Sequence, residues 1–255
     1  MKALFRWLIL LCAAVLALQI FFVVSIALMA VLAPQSTSFE RSQAWHILQQ
    51  SGRLRWRQQW VDYPSISNHL KRAVIASEDG SFNQHEGLDW EAMEKAWEKN
   101  AKAEQLAAKQ NATKSSKSGP VTTSANHLAS PRVKVVGGST ITQQLAKNLF
   151  LSGERTLLRK SQEFVLTLLL EKMLSKQRIL EIYLNHVEWG TGVFGAEAAA
   201  QHYFRKPASQ LNAFEAARLA VMLPRPRVYE KLPDSVYLAD RALSIMARMG
   251  DAKLP

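Results

Sequence analysis

The chain has 255 residues and a formal net charge of +11. That length suits one globular domain of roughly 150–220 residues plus one apolar segment. The single cysteine, Cys12, excludes an intramolecular disulfide and a multi-cysteine metal site, and the six histidines lack HExxH spacing. The charge asks for an anionic partner (phospholipid, nucleic acid or a phosphorylated substrate) without choosing among them.

From Trp7 to Ala33 no residue is charged. As a helix this run is about 40 Å long, against about 30 Å of hydrocarbon core, so it predicts a transmembrane anchor with some tilt. A cleaved signal peptide would have a shorter apolar run, and Pro34 follows Ala33 where cleavage would fall. Lys2 and Arg6 precede the run and Arg41 is the first basic residue after it. The positive-inside rule then puts residues 1–6 in the cytoplasm and the main domain outside.

Residues 34–64 read as a connector with short extended pieces, among them the alternating Leu54-Arg55-Trp56-Arg57. Beyond it the periodicity is helical. Ser67 is placed to cap a helix running to about Glu78, and Asp89 one carrying Met93 and Trp97. Residues 101–130, rich in Ala, Lys, Ser, Thr and Asn, read as an insertion whose distal half is a mobile loop. Ser139 is placed to start a helix with Ile141, Leu145 and Leu149 on one face. Residues 156–174 predict a long, largely buried helix, because FVLTLLL leaves little polar face. Ser175 opens the next helix, to about Leu184. Asn212 and Glu215 form a capping pair for a helix ending before Pro224, and Asp234 and Gly250 bracket a last one. Few strand signals and many helical ones define a mainly α domain over 65–255.

Three strings carry candidate chemistry. In SEDGSFNQHEG, Glu78 and Asp79 end a helix against the negative end of its dipole, which raises a carboxylate's proton affinity and suits a general base or acid. In GGSTITQQLAKN, Gly137 and Gly138 let the backbone approach a ligand closely, and the helix start after them favours anions. Gln143 and Gln144 each share a helix face with Lys147, and Asn148 adds a polar group. In ERTLLRKSQEF, Lys160 lies one turn before Glu163, while Arg155 and Arg159 are neighbours one turn back, a grouping that could meet a pyrophosphate. Taken singly, each string also fits an ordinary solvated helix face.

Together with KQRILEIYLNHVEWGTGVFGAEAAAQHYF and LNAFEAARLAVMLPRP, these strings resemble, in order, the five signature stretches of the peptidoglycan glycosyltransferases found in penicillin-binding proteins and in stand-alone enzymes. The likeness covers residues 66–226 apart from the insertion. With no transpeptidase domain following, the chain resembles the monofunctional biosynthetic transglycosylases. The resemblance implies a lysozyme-like fold with a smaller membrane-associated subdomain, in a single-pass protein of the cytoplasmic (inner) membrane with its catalytic domain on the periplasmic face. The implied substrate is lipid II. The sugar 4-hydroxyl of the acceptor attacks the donor anomeric carbon with inversion and expels undecaprenyl pyrophosphate.

By the same resemblance Glu78 is the general base and Glu163 the second essential carboxylate, assisting the leaving pyrophosphate directly or through a divalent cation (Mg or Mn). No cofactor is implied as a requirement. Lys147, Arg155 and Lys160 match the cations around the pyrophosphate. Ser139, Gln143, Gln144 and Asn148 match polar positions of the donor site, with Asp79 and His85 in support. The implied partners are lipid II, the growing glycan strand, membrane lipids, and proteins of cell-wall synthesis or division. Two other readings compete. A glycan-cleaving, lysozyme-like enzyme would not need the grouped cations, and a basic nucleic-acid-binding scaffold would need cations interleaved with stacking aromatics, which are absent.

Overall fold

The computed structural model describes residues 2–115, 138–151, 153 and 156–255, with the backbone alone for 108–115. Its described part is mainly α. By contacts the chain divides into two units, Met1–Leu88 with Thr140–Pro255, and Asp89–Ser139.

The first unit begins with α1, Lys2–Met29, the single helix among the described residues that is long and apolar enough to cross a membrane. Most of its side chains are exposed, but Phe22 and Ile26 are buried. Phe22 meets the edge of Phe150 at 5.3 Å between ring centroids. Gln19, the polar interruption of the apolar run, exchanges amide hydrogen bonds of 3.2 and 3.3 Å with Gln162. The carbonyls at the end of a helix lack intrahelical donors. Here Arg178 serves one of them, donating from Nε to Met29 O (2.8 Å), and donates from Nη2 to Leu32 O just past the helix (2.9 Å). Its third donor, Nη1, holds Glu181.

The segment expected to carry short extended pieces holds a helix instead, α2, Ser38–Ser51. Its start is a capping box: Thr37 accepts from Glu40 N, and the Glu40 carboxylate accepts from Thr37 N. The helix is weakly amphipathic, with Ile47 buried and Trp45 and Leu48 exposed, so periodicity did not reveal it. Of the expected strand around residues 54–57, Arg57–Gln58 remains as β1. It pairs in parallel with β3, Val193–Phe194, which pairs antiparallel with β2, Glu188–Gly190. Gly192 and Gly195 make this small sheet possible. Both have positive φ, and a Cβ on Gly192 would lie 2.1 Å from Arg55 O.

Local cap signals mostly lead to real helices. Ser67 Oγ accepts from His69 N at the start of α3, Asn68–Glu78. Ser175 caps α7, Lys176–His186, and Asn212 with Glu215 forms a capping box on α9, Ala213–Met222. Alanines on α9 let it pack closely on α3: Ala216, Ala217 and Ala220 are buried, as are Leu70, Ala73 and Val74 opposite. Helix α8 (Ala196–Phe204) precedes α9 and the short α10 (Pro226–Tyr229) follows it. The last helix, α11 (Val236–Met246), packs on α9 and touches α3, with Leu238, Ala242 and Ile245 buried.

Two helices differ from expectation. The one beginning near Ser139 is α5, Ile141–Phe150, and its N-cap is Thr140. The helix expected to be largely buried is α6, Leu157–Met173, and it buries a narrow stripe of Glu163, Leu166, Thr167 and Leu170. Leu157 and Leu158 are almost fully exposed, and Phe164, Val165 and Leu168 are over a third exposed. An apolar sequence marks surface that avoids water. It does not say whether protein or lipid covers it.

The second unit contains α4, Trp90–Ser115, which covers the first half of the expected insertion. Asp89 caps it by accepting from Ala92 N at 2.7 Å. Gly138, expected to approach a ligand, instead approaches this helix: a Cβ there would sit 3.2 Å from Met93 Cα and from Ala96 Cβ. Gly137 and the expected loop over the distal half of 101–130 lie outside the described residues, apart from the helix end.

Candidate active site

Glu78 ends α3, at the junction with α5 and α7. Burial pushes its carboxyl above the usual carboxylate range. Hydrogen bonds from Gln144 and Ser77 act against this, the neighbouring Asp79 adds to it, and Lys147 lowers it. Desolvation is the largest of these causes. Glu78 Oε2 accepts from Gln144 Nε2 at 2.9 Å, and Gln144 Oε1 accepts from Tyr183 Oη at 3.0 Å. Glu78 is still partly exposed.

The adjacent Asp79 is spent on architecture. It is buried, with Oδ1 at 2.8 Å from His85 Nε2 and Oδ2 accepting from Ile141 N at 3.0 Å. It thereby fastens the end of α3 to the first turn of α5. Thr140 Oγ1 adds a bond to Gly87 O at 2.6 Å. Asp79 and His85 therefore align the strings around Glu78.

The residues of the second string diverge. Gln143 is buried in the α5 capping box, its Oε1 accepting from Thr140 N at 3.0 Å. Gln144 faces Glu78, Lys147 is exposed one turn on and acts electrostatically on Glu78, and Asn148 is partly exposed. Ser139 falls in the other unit and is exposed.

On α6, which packs against α5, Glu163 is buried at 4% exposure between two cations. Arg159 Nη1 lies 2.9 Å from Oε2 and Lys160 Nζ 2.5 Å from Oε1. Lys160 is half exposed. Arg159 is mostly buried, and its Nε has no hydrogen-bond partner among the described residues. The sequence groups Arg159 with cations that could meet a pyrophosphate, but the family resemblance carried it over to no site role, and its spacing of four from Glu163 was the signal for the pairing. Tyr183 was likewise passed over inside a quoted string. Arg155 lies outside the described residues.

Among the described residues, a divalent cation at Glu163 finds no ready site. Both carboxylate oxygens already hold positive groups, and among the described residues Glu163 belongs to no cluster of His, Cys, Asp or Glu able to share an ion.

A partly exposed carboxylate made more basic by burial can take a proton, and a second carboxylate between two cations can organise charge at a leaving group, which is chemistry suited to sugar transfer. The family model described as Transglycosylase matches residues 46–110 and 120–250. The chain is 48% identical to the biosynthetic peptidoglycan transglycosylase of Herminiimonas arsenicoxydans, over 100% of this chain and 99% of that one. It is 48% identical to proteins of the same name from Janthinobacterium sp. (strain Marseille), over 94% and 92% of the two chains, and from Burkholderia multivorans, over 95% and 88%. The chain is a glycosyltransferase with a lysozyme-like domain. It belongs to the transglycosylase family.

Proposed function

We propose that the chain is a peptidoglycan glycosyltransferase that polymerises lipid II into linear glycan strands, with inversion at the donor anomeric carbon. The observation that carries the reading is Glu78, a carboxylate made more basic by burial yet open on one side. It takes the proton of the acceptor 4-hydroxyl as that oxygen bonds to the donor anomeric carbon. The bond from that carbon to the pyrophosphate oxygen breaks, and the electron pair leaves with undecaprenyl pyrophosphate. Arg159 and Lys160, held by Glu163, with Lys147 and Arg155, take up the charge of the leaving group. The Arg159 Nε–H, which has no partner among the described residues, supports this, since an anion would supply an acceptor. Purified full-length protein with labelled lipid II should yield polymer. Release of short glycans from finished strands, with no polymer, would instead make it a hydrolase.

The same reading places α1 across the cytoplasmic membrane, with residues 1–6 inside, 34–64 as connector and 65–255 on the outer face. The exposed apolar face of α6, packed beside α1, fits a membrane-associated subdomain. Membrane lipids and cell-wall synthesis or division proteins are its natural neighbours. A C-terminal alkaline phosphatase fusion should be active. A silent fusion, with a cytoplasmic reporter active at the same position, would remove the enzyme from outward-facing lipid II.

A further inference from the structure

Tyr183 lies on α7, on the third side of the Glu78 environment, and its side chain is almost wholly buried. Its hydroxyl donates to Gln144 Oε1 at 3.0 Å, and the same amide donates from Nε2 to Glu78 Oε2 at 2.9 Å. An amide has one acceptor end and one donor end. A donor fixed on the carbonyl end therefore turns the NH2 end toward the carboxylate. We infer that Tyr183 is a positioning residue which, through the Gln144 amide, keeps a hydrogen-bond donor on Glu78 and so holds that carboxylate ready to accept a proton.

The chemistry of the neighbours supports one direction for the chain of bonds. Burial, then the charges of Glu78 and Asp79, raise the Tyr183 phenol well above its ordinary value, so it remains a donor across the working pH range. The other groups facing Glu78 cannot replace the amide. Ser77 Oγ is 3.4 Å from Oε1 and also lies 3.5 Å from Ala220 O of α9. Asp79 repels the charge, with both its oxygens engaged by His85 and Ile141 N. Lys147 on α5 attracts it from an exposed position. Without the phenol, the Gln144 carbonyl loses its donor and the amide can turn over. It then offers an acceptor, which a protonated Glu78 satisfies and a carboxylate does not. The proton affinity of Glu78 rises.

The inference rests on Glu78 being the proton acceptor, and the test separates the two. Full-length protein is assayed with lipid II across pH as wild type, Tyr183→Phe, Gln144→Leu, the double variant and Glu78→Gln, each checked for cooperative thermal unfolding. A base works when deprotonated, so the acid limb of the rate profile follows Glu78. Tyr183→Phe should move that limb up by about one pH unit, a roughly tenfold loss below the limb and a much smaller one on the alkaline plateau. Gln144→Leu should move it in the same direction, and the double variant no further than the larger single shift, because both break one chain. An unmoved limb in a folded Tyr183→Phe protein, or shifts that add, would overturn the inference while an inactive Glu78→Gln left the base assignment standing. Should Tyr183→Phe fail to fold, an unmoved limb in Gln144→Leu overturns it equally. An active Glu78→Gln enzyme would instead remove the base assignment itself.

Discussion

Glu78→Gln should abolish polymerisation, lowering turnover by at least about 10²–10⁴-fold, the usual contribution of a positioned general base. Affinity for a non-reactive lipid II analogue should change by only a few fold. The amide keeps the size of the side chain and its contact with Gln144, but it cannot take the acceptor proton. The same substitution should make the protein more stable near neutral pH. Burial raises the folded-state proton affinity of Glu78, so the folded protein favours the neutral carboxyl. That preference contributes fully below the unfolded-state pKa and is lost as pH rises through the raised folded value. Glutamine stays neutral throughout. Melting temperatures of variant and wild type should therefore agree in acid, diverge as pH rises past the unfolded-state value, and differ most above the folded-state value, with the variant higher. Catalytic groups often cost stability in this way. Turnover near wild type would move the base elsewhere, and Asp79 would be a poor substitute because both its oxygens are engaged.

Glu163→Gln should also lose most turnover, but by a different route. Its carboxylate fixes Arg159 and Lys160 within hydrogen-bonding distance. The amide releases Lys160 and leaves the mostly buried Arg159 charge without its counter-ion, a strongly unfavourable arrangement. Donor binding and turnover should fall together, in contrast to Glu78→Gln. Arg159→Ala and Lys160→Ala should each slow transfer by about 30- to 1,000-fold, corresponding to ~2–4 kcal/mol of charge stabilisation in a sheltered site. Arg159→Ala should be the more harmful of the two, because its side chain is 17% exposed against 51% for Lys160, and water screens the latter. Steady-state rates with lipid II, alongside binding of the non-reactive analogue, measure both. Equal, near-wild-type rates in all three variants would reduce this group to a structural ion cluster.

What the sequence determined by itself is whatever depends on neighbours along the chain. The caps at Ser67, Asp89, Ser175 and Asn212 work over two or three residues, so they could be read directly and are present. The apolar run that became α1 and the pairing of Lys160 with Glu163 one turn apart are of the same kind. The Thr37–Glu40 capping box was equally local, but weak amphipathicity hid the helix behind it. Sequence could not say which polar residues of a helix are spent on architecture. Gln143 and Gln144 are adjacent and chemically identical, yet one closes a cap and the other faces Glu78. Asp79 and Glu78 part in the same way. Those choices depend on partners far away in the chain, 62 residues from Asp79 to Ile141, 66 from Glu78 to Gln144 and 39 from Gln144 to Tyr183. Only packing brings such groups within 3 Å or so, and only burial turns an ordinary glutamate into a stronger base. Helical periodicity places a side chain on a face of its helix. The tertiary structure decides what that face meets, as α6 demonstrates by keeping much of its apolar surface exposed.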